Sequence, residues 1–129
     1  MRNIQARTEL EELLKNEKNL IVDWTASWCG PCQQVKPILE WVEDAYKKQK
    51  LVVVAVDTDK FSKLHEEFGV KAIPNICFMR DGKVVKRFVG VPKMEAFRAA
   101  VREYLGLGVG AEDKWVIAWP RQAKPEVIE

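Results

Sequence analysis

Two thiols close to one another stand in the run Trp28-Cys29-Gly30-Pro31-Cys32, directly after the apolar stretch Leu20-Ile21-Val22-Asp23-Trp24. At the junction of a buried strand and a helix, sulfurs so spaced can form and break a disulfide with each other. Only a thiolate attacks a disulfide, and the first turn of a helix, with its unpaired N–H groups and positive dipole end, favours one. Cys29 is therefore the candidate nucleophile. Cys32, one turn inside and expected to be less exposed, is the candidate that attacks the mixed disulfide and frees the reduced substrate. Pro31 suits a first helical turn, and Gly30 leaves the approach open to a substrate backbone. Two other readings of the pair stay open, half of a zinc site or two inert buried thiols. Zinc takes four ligands, and the chain adds only Cys77 and His65, with no second paired spacing.

Asp23 is a carboxylate in a strand that otherwise reads as core, where burial is costly for a charged group. It is either a working group or a strand-end residue that pairs with a lysine or caps a turn. Cys77, between Ile76 and Phe78, reads as a small buried hydrophobe. His65, beside Glu66 and Glu67, reads as a surface residue.

The elements that must position these groups follow from hydrophobic period and turn chemistry. Thr8-Glu9-Leu10-Glu11 reads as a capping box, with Leu10, Leu13 and Leu14 at helical spacing behind it. Leu20 to Trp24 does not alternate and reads as a strand buried on both faces. Val35, Ile38, Leu39, Val42 and Tyr46 keep a helical period over Cys32 to Lys48, with Pro37 inside. Leu51 to Val56 is a second buried strand, and Lys60 to Phe68 a short helix with Gly69 beyond it as a cap. Arg80-Asp81-Gly82-Lys83 separates the strands Ile76–Met79 and Val84–Val89 with a hairpin turn, so these two run antiparallel. Pro92 opens a last helix through Phe97, Val101 and Leu105, and an extra strand near Ile4 fits the pattern. The fold expected is α/β, a central mixed, mainly parallel β-sheet flanked by helices on both faces. Residues 1–105 form that domain. Residues 106–129, with three glycines and the alternating Trp115, Ile117 and Trp119, form a tail that is docked or free.

The chain has 129 residues, 31% of them charged and 47% hydrophobic, which suits one globular domain. A net charge of +2 is too small a bias for a nucleic-acid partner. The basic cluster Lys47-Lys48-Gln49-Lys50 reads as a solvated helix end. No run approaches the about 18 apolar residues that span a bilayer, and Met1 to Leu10 lacks the apolar stretch of a secretory signal. Three cysteines do not make a disulfide framework, and in a reducing compartment a close pair is catalytic or metal-binding. The expected location is cytoplasmic.

Residues 4 to 105 resemble thioredoxin. The resemblance is carried by Val22-Asp23-Trp24-Thr25-Ala26-Ser27-Trp28-Cys29-Gly30-Pro31-Cys32, by Pro37, by Ile73-Pro74 and by Val89-Gly90. It implies the thioredoxin fold and a protein-disulfide reductase, since a Gly-Pro pair between the cysteines accompanies reductants in this family. It implies no bound cofactor besides the redox-active Cys29–Cys32 disulfide. It makes Asp23 the general base for Cys32, although the lysine often found beneath this aspartate falls at Ala55, an absence expected to raise the carboxyl pKa. It implies a cis bond at Ile73-Pro74, with the Ile73 backbone open to a substrate peptide, and Asn75 where threonine is usual. Trp28, Ile73, Val89, Gly90 and Val91 are then the apolar platform for protein substrates.

The partners implied are disulfide-containing proteins and a thioredoxin reductase or its ferredoxin-linked equivalent. Two alternatives stand beside a general reductant. One is a thioredoxin-fold interaction module that docks through the tryptophan tail, and the other is a dedicated reductant of one partner.

Overall fold

The computed structural model describes residues 1–107. The elements run β1 (Arg2–Asn3), α1 (Arg7–Asn16), β2 (Asn19–Thr25), α2 (Gly30–Tyr46), a 3-10 turn (Lys47–Gln49), β3 (Val52–Asp57), α3 (Ser62–Glu67), β4 (Asn75–Arg80), β5 (Lys83–Val89) and α4 (Met94–Leu105). The five strands form one sheet in the order β1-β3-β2-β4-β5. β1–β3 and β3–β2 pair in parallel, while β2–β4 and β4–β5 pair antiparallel. The sheet is therefore mixed and mainly parallel, as expected: four strands run in one direction and β4 alone is reversed, between β2 and β5.

β2 lies at the centre and is hidden on both faces, so alternate residues feed two cores. On one face Ile21, Val53, Ile76 and Phe78 pack against α2 and α4 through Val35, Leu39, Val42, Phe97 and Val101. Phe97 meets Phe78 edge-on, with ring centroids 5.1 Å apart. On the other face Leu20, Val22, Trp24, Val54, Cys77 and Met79 pack against Leu10 and Leu13 of α1 and Leu64 of α3. Gly106 takes φ 64° beyond α4, and Leu107 is buried in the first core. The tryptophan tail lies outside the described residues.

Several element ends differ from those the sequence suggests. Thr8 does not cap α1. Ala6 is the N-cap and makes no side-chain cap bond, while Glu9 reaches back to accept the Gln5 N–H at 2.8 Å. α3 starts at Ser62 rather than Lys60 because Asp57 Oδ1 accepts the N–H groups of Asp59 and Lys60 and holds them in a turn. Gly69 does sit beyond α3 at φ 71°. α4 opens at Met94, not Pro92, since Val91 and Pro92 are buried and the chain stays extended through Lys93.

In the β4–β5 turn Asp81 and Gly82 both have positive φ, 52° and 80°, the requirement of the tightest hairpin. A Cβ on Gly82 would also lie 3.0 Å from the Leu14 carbonyl oxygen. Gly82→Ala is thus expected to destabilise the protein by about 1–2 kcal/mol in urea unfolding. A change below about 0.5 kcal/mol would show that the turn relaxes freely.

Candidate active site

β2 ends at Thr25, the chain turns through Ala26 to Trp28, and α2 begins at Gly30, so Cys29 is the N-cap. Pro31 falls in the first turn, where its missing N–H costs nothing. Cys29 and Cys32 form a disulfide, with Cα atoms 5.3 Å apart. The Cys32 backbone N–H donates to Cys29 Sγ at 3.2 Å, so this sulfur takes the place of a capping oxygen. The expected difference in exposure is not present in this oxidised pair: Cys29 is 0% and Cys32 1% exposed, because each sulfur covers the other within the cluster of Trp24, Ala26 and Ile73. A Cβ on Gly30 would meet nothing within 4 Å, so the approach over that residue is open.

Trp28 stands 59% exposed beside the pair. Its indole N–H donates to Asp59 Oδ2 at 2.8 Å. Asp59 belongs to no sequence motif of the site; the signal for it is the Asp57-Thr58-Asp59 turn at the end of β3. The Ile73-Pro74 bond is cis, and the Pro74 carbonyl accepts the Gly90 N–H at 2.8 Å, joining this turn to the end of β5. Trp28, Asp59, His65, Ala72 and Ile73 line a cleft of about 340 Å³. His65 is half-buried rather than on the surface, with Nδ1 3.2 Å from the Val70 carbonyl oxygen.

The expected apolar platform is only partly assembled. Trp28 and Val89 are exposed. Gly90 is buried, Ile73 is 6% exposed with its side chain in the α1–α3 core, and Val91 is 1% exposed in the α2–α4 core. Val91 is a core residue because it anchors the start of the α4 segment.

Asp23 is 1% exposed, and its Oδ1 has no hydrogen-bond partner among the described residues. It shares the Ile21 face of β2, beneath α2. Directly across in β3 stands Ala55, so no cation lies at that register position. The nearby positive charge comes instead from Lys36 on α2, one turn beyond Cys32. Asp23, Lys36, Gln33, Ser27 and Asp57 line a cleft of about 380 Å³. Burial pushes the Asp23 carboxyl up to about 7, against the opposing pull of Lys36.

Asn75, 1% exposed, has partners for both its nitrogen and its oxygen. Its Nδ2 donates to the Ala72 carbonyl at 3.3 Å, and its Oδ1 accepts from Arg87 Nη1 at 3.0 Å and from the Cys77 thiol at 3.5 Å. Burial pushes the Cys77 thiol up, which keeps it protonated. Among the described residues no three His, Cys, Asp or Glu side chains cluster in a way that could hold a metal.

A disulfide closed across the first turn of a helix, beside a cis-proline turn on a mixed five-stranded sheet, is the site of a thiol–disulfide oxidoreductase. The thioredoxin family model matches residues 3–103. The thioredoxin of Mycoplasmoides gallisepticum is 38% identical over 96 residues, 74% of this chain and 94% of that protein. The chloroplastic thioredoxin Y2 of Arabidopsis thaliana is 38% identical over 87 residues, 67% of this chain and 52% of that protein. The structure of Fasciola hepatica thioredoxin superposes with a TM-score of 0.70 at 30% identity, covering 79% of this chain and 98% of the other. The chain belongs to the thioredoxin family: it has the thioredoxin fold and is a protein-disulfide reductase.

The Asp23 carboxyl links stability to pH. Its folded-state value, about 7, lies above the ordinary 3.8, so folding takes up a proton between the two. Asp23 therefore costs no stability below about pH 4, and the cost grows as pH rises toward 7. Asp23→Asn should remove this dependence and be more stable than wild type at pH 8 by about 2–4 kcal/mol. Parallel denaturant curves for the two proteins from pH 4 to 8 would show that Asp23 carries no such penalty.

Proposed function

We propose that this chain is a general reductant of protein disulfides in which Cys29 attacks, Cys32 resolves and Asp23 handles the proton. The observation that carries the assignment is the N-cap position of Cys29, whose sulfur receives the Cys32 N–H. When the disulfide is reduced, that donor and the open end of α2 favour a thiolate on Cys29. The thiolate attacks one sulfur of a substrate disulfide and expels the other as a thiolate, giving a Cys29–substrate mixed disulfide. Cys32 loses its proton and attacks Cys29 Sγ, which releases the second substrate sulfur and closes the Cys29–Cys32 bond. Two electrons pass in total from the cysteine pair to the substrate, with one proton supplied by Cys32 and the other by solvent.

Asp23 suits the proton step because a carboxyl near 7 can both accept and return a proton at neutral pH. Trp28 and Val89 offer the apolar contact, Gly30 and Pro31 the open approach, and Ile73, Pro74, Gly90 and Val91 the backbone and its support. Since Ile73 turns its side chain inward, its contribution to a peptide substrate is main chain, in the manner of strand addition.

A thioredoxin reductase, flavin- or ferredoxin-linked, returns the electrons. The setting proposed for the reaction is the cytoplasm, in keeping with the sparse cysteines, although relatives include a chloroplastic protein. No helix among the described residues is long and apolar enough to cross a membrane.

Insulin reduction coupled to a reductase is the direct test. Cys29→Ser should abolish it, whereas Cys32→Ser should accumulate mixed disulfides with several different proteins. An inactive wild type would remove the assignment, and capture of a single protein would make the chain a dedicated reductant. Truncation after Leu107, which keeps that buried side chain, should leave insulin reduction intact. A lost activity would place Trp115 and Trp119 in substrate or reductase contact.

A further inference from the structure

Arg87 lies on β5 at the register position of Cys77, on the face that packs toward α1 and α3. Its guanidinium reaches two points that flank the cis-proline turn in sequence. Nη1 donates to Asn75 Oδ1 at 3.0 Å, immediately after Pro74, and Nη2 donates to the Phe68 carbonyl at 2.6 Å, at the end of α3. Asn75 in turn donates across the turn to the Ala72 carbonyl at 3.3 Å. Segment 69–74 connects these points, and it includes Ile73 together with the Ala72 side of the cleft beside Trp28.

The planar guanidinium presents its donors in a fixed fork, so Arg87 makes both bonds at once. The Asn75 amide orientation is set by the same contact, since an arginine requires an acceptor oxygen. Bonds from a charged donor to a buried amide and a main-chain carbonyl are the strong kind. The segment is thereby held at its two ends and across its turn.

We propose that Arg87, through Asn75 and the Phe68 carbonyl, is a positioning residue that fixes the Ile73-Pro74 turn for engagement of protein substrates. The inference rests on the reductase reading above and assigns the specificity for polypeptide over small disulfides to a side chain remote from the sulfurs. A protein substrate must align its backbone with this turn. A small disulfide needs only the sulfur of Cys29.

The test compares insulin with a small aromatic disulfide as substrates of the full chain, wild type and three variants. Arg87→Met should lower kcat/KM for insulin about tenfold relative to kcat/KM for the small disulfide, mainly through KM. Arg87→Lys, able to keep one of the two bonds, should recover part of that loss. Asn75→Ala should reproduce the Arg87→Met effect, with the double variant no worse than either single one. Equal losses on both substrates, or no loss on insulin, would overturn the proposal. Should Arg87→Met fail to give a folded far-UV CD spectrum, Asn75→Ala and Arg87→Lys decide by the same ratio. A wild type inactive on insulin would instead reject the reductase reading itself.

Discussion

The N–H groups at the start of α2 have no helical acceptor, and the placement of one sulfur answers that deficit. Cys29 occupies the N-cap and accepts the Cys32 N–H. Everything else at this end of the molecule keeps that arrangement in place. β2 is buried on both faces and paired on both edges, so the point where the chain leaves it is fixed. Pro31 commits the next residues to helical geometry. The Cys29 N–H is itself bonded to the Ala26 carbonyl at 3.2 Å, which closes the short turn between strand and helix. A sulfur on a mobile loop would lose the dipole and the donor together.

Much of this was legible in the sequence. The double-sided burial of Leu20 to Trp24, the helical stripe from Val35 to Tyr46 and the Asp81-Gly82 turn all carry strong local signals, and each element forms where expected. The cysteine pair and the cis bond at Pro74 were reached through local motif and family resemblance. What was not legible depends on register and on side-chain reach. Arg87 faces Cys77 only because of the β4–β5 pairing, which carries an irregularity between Phe78 and Met79 that no periodicity announces. Val91 reads the same as Val89 in sequence, yet one is in the core and the other is exposed, because the chain leaves the strand between them. Helix starts depart from the sequence signal where side-chain bonds compete with propensity, as with Glu9 and Asp57.

Asn75 illustrates how a departure from the usual residue is absorbed. An amide at a position 1% exposed needs partners for both its oxygen and its nitrogen, or its burial is destabilising. Arg87, Cys77 and the Ala72 carbonyl supply them. Without Arg87 the buried Asn75 oxygen would keep only the weak thiol donor of Cys77.

Asp23 has no such relief. Its Oδ1 lacks a partner among the described residues, Ala55 faces it across the parallel pair, and Lys36 offsets burial only in part. By packing criteria alone an apolar residue would suit this site better, since a carboxylate in the interior pays heavily for lost hydration. The carboxyl persists at the centre of β2 at a cost to the fold that grows as pH rises above 3.8 and is fully present only above about 7. Stability therefore disfavours the ionisation that the proposed proton transfer requires. With Ala55 at the facing register position, Lys36 is the charge that opposes burial, and its partial offset leaves the carboxyl titrating near neutral pH.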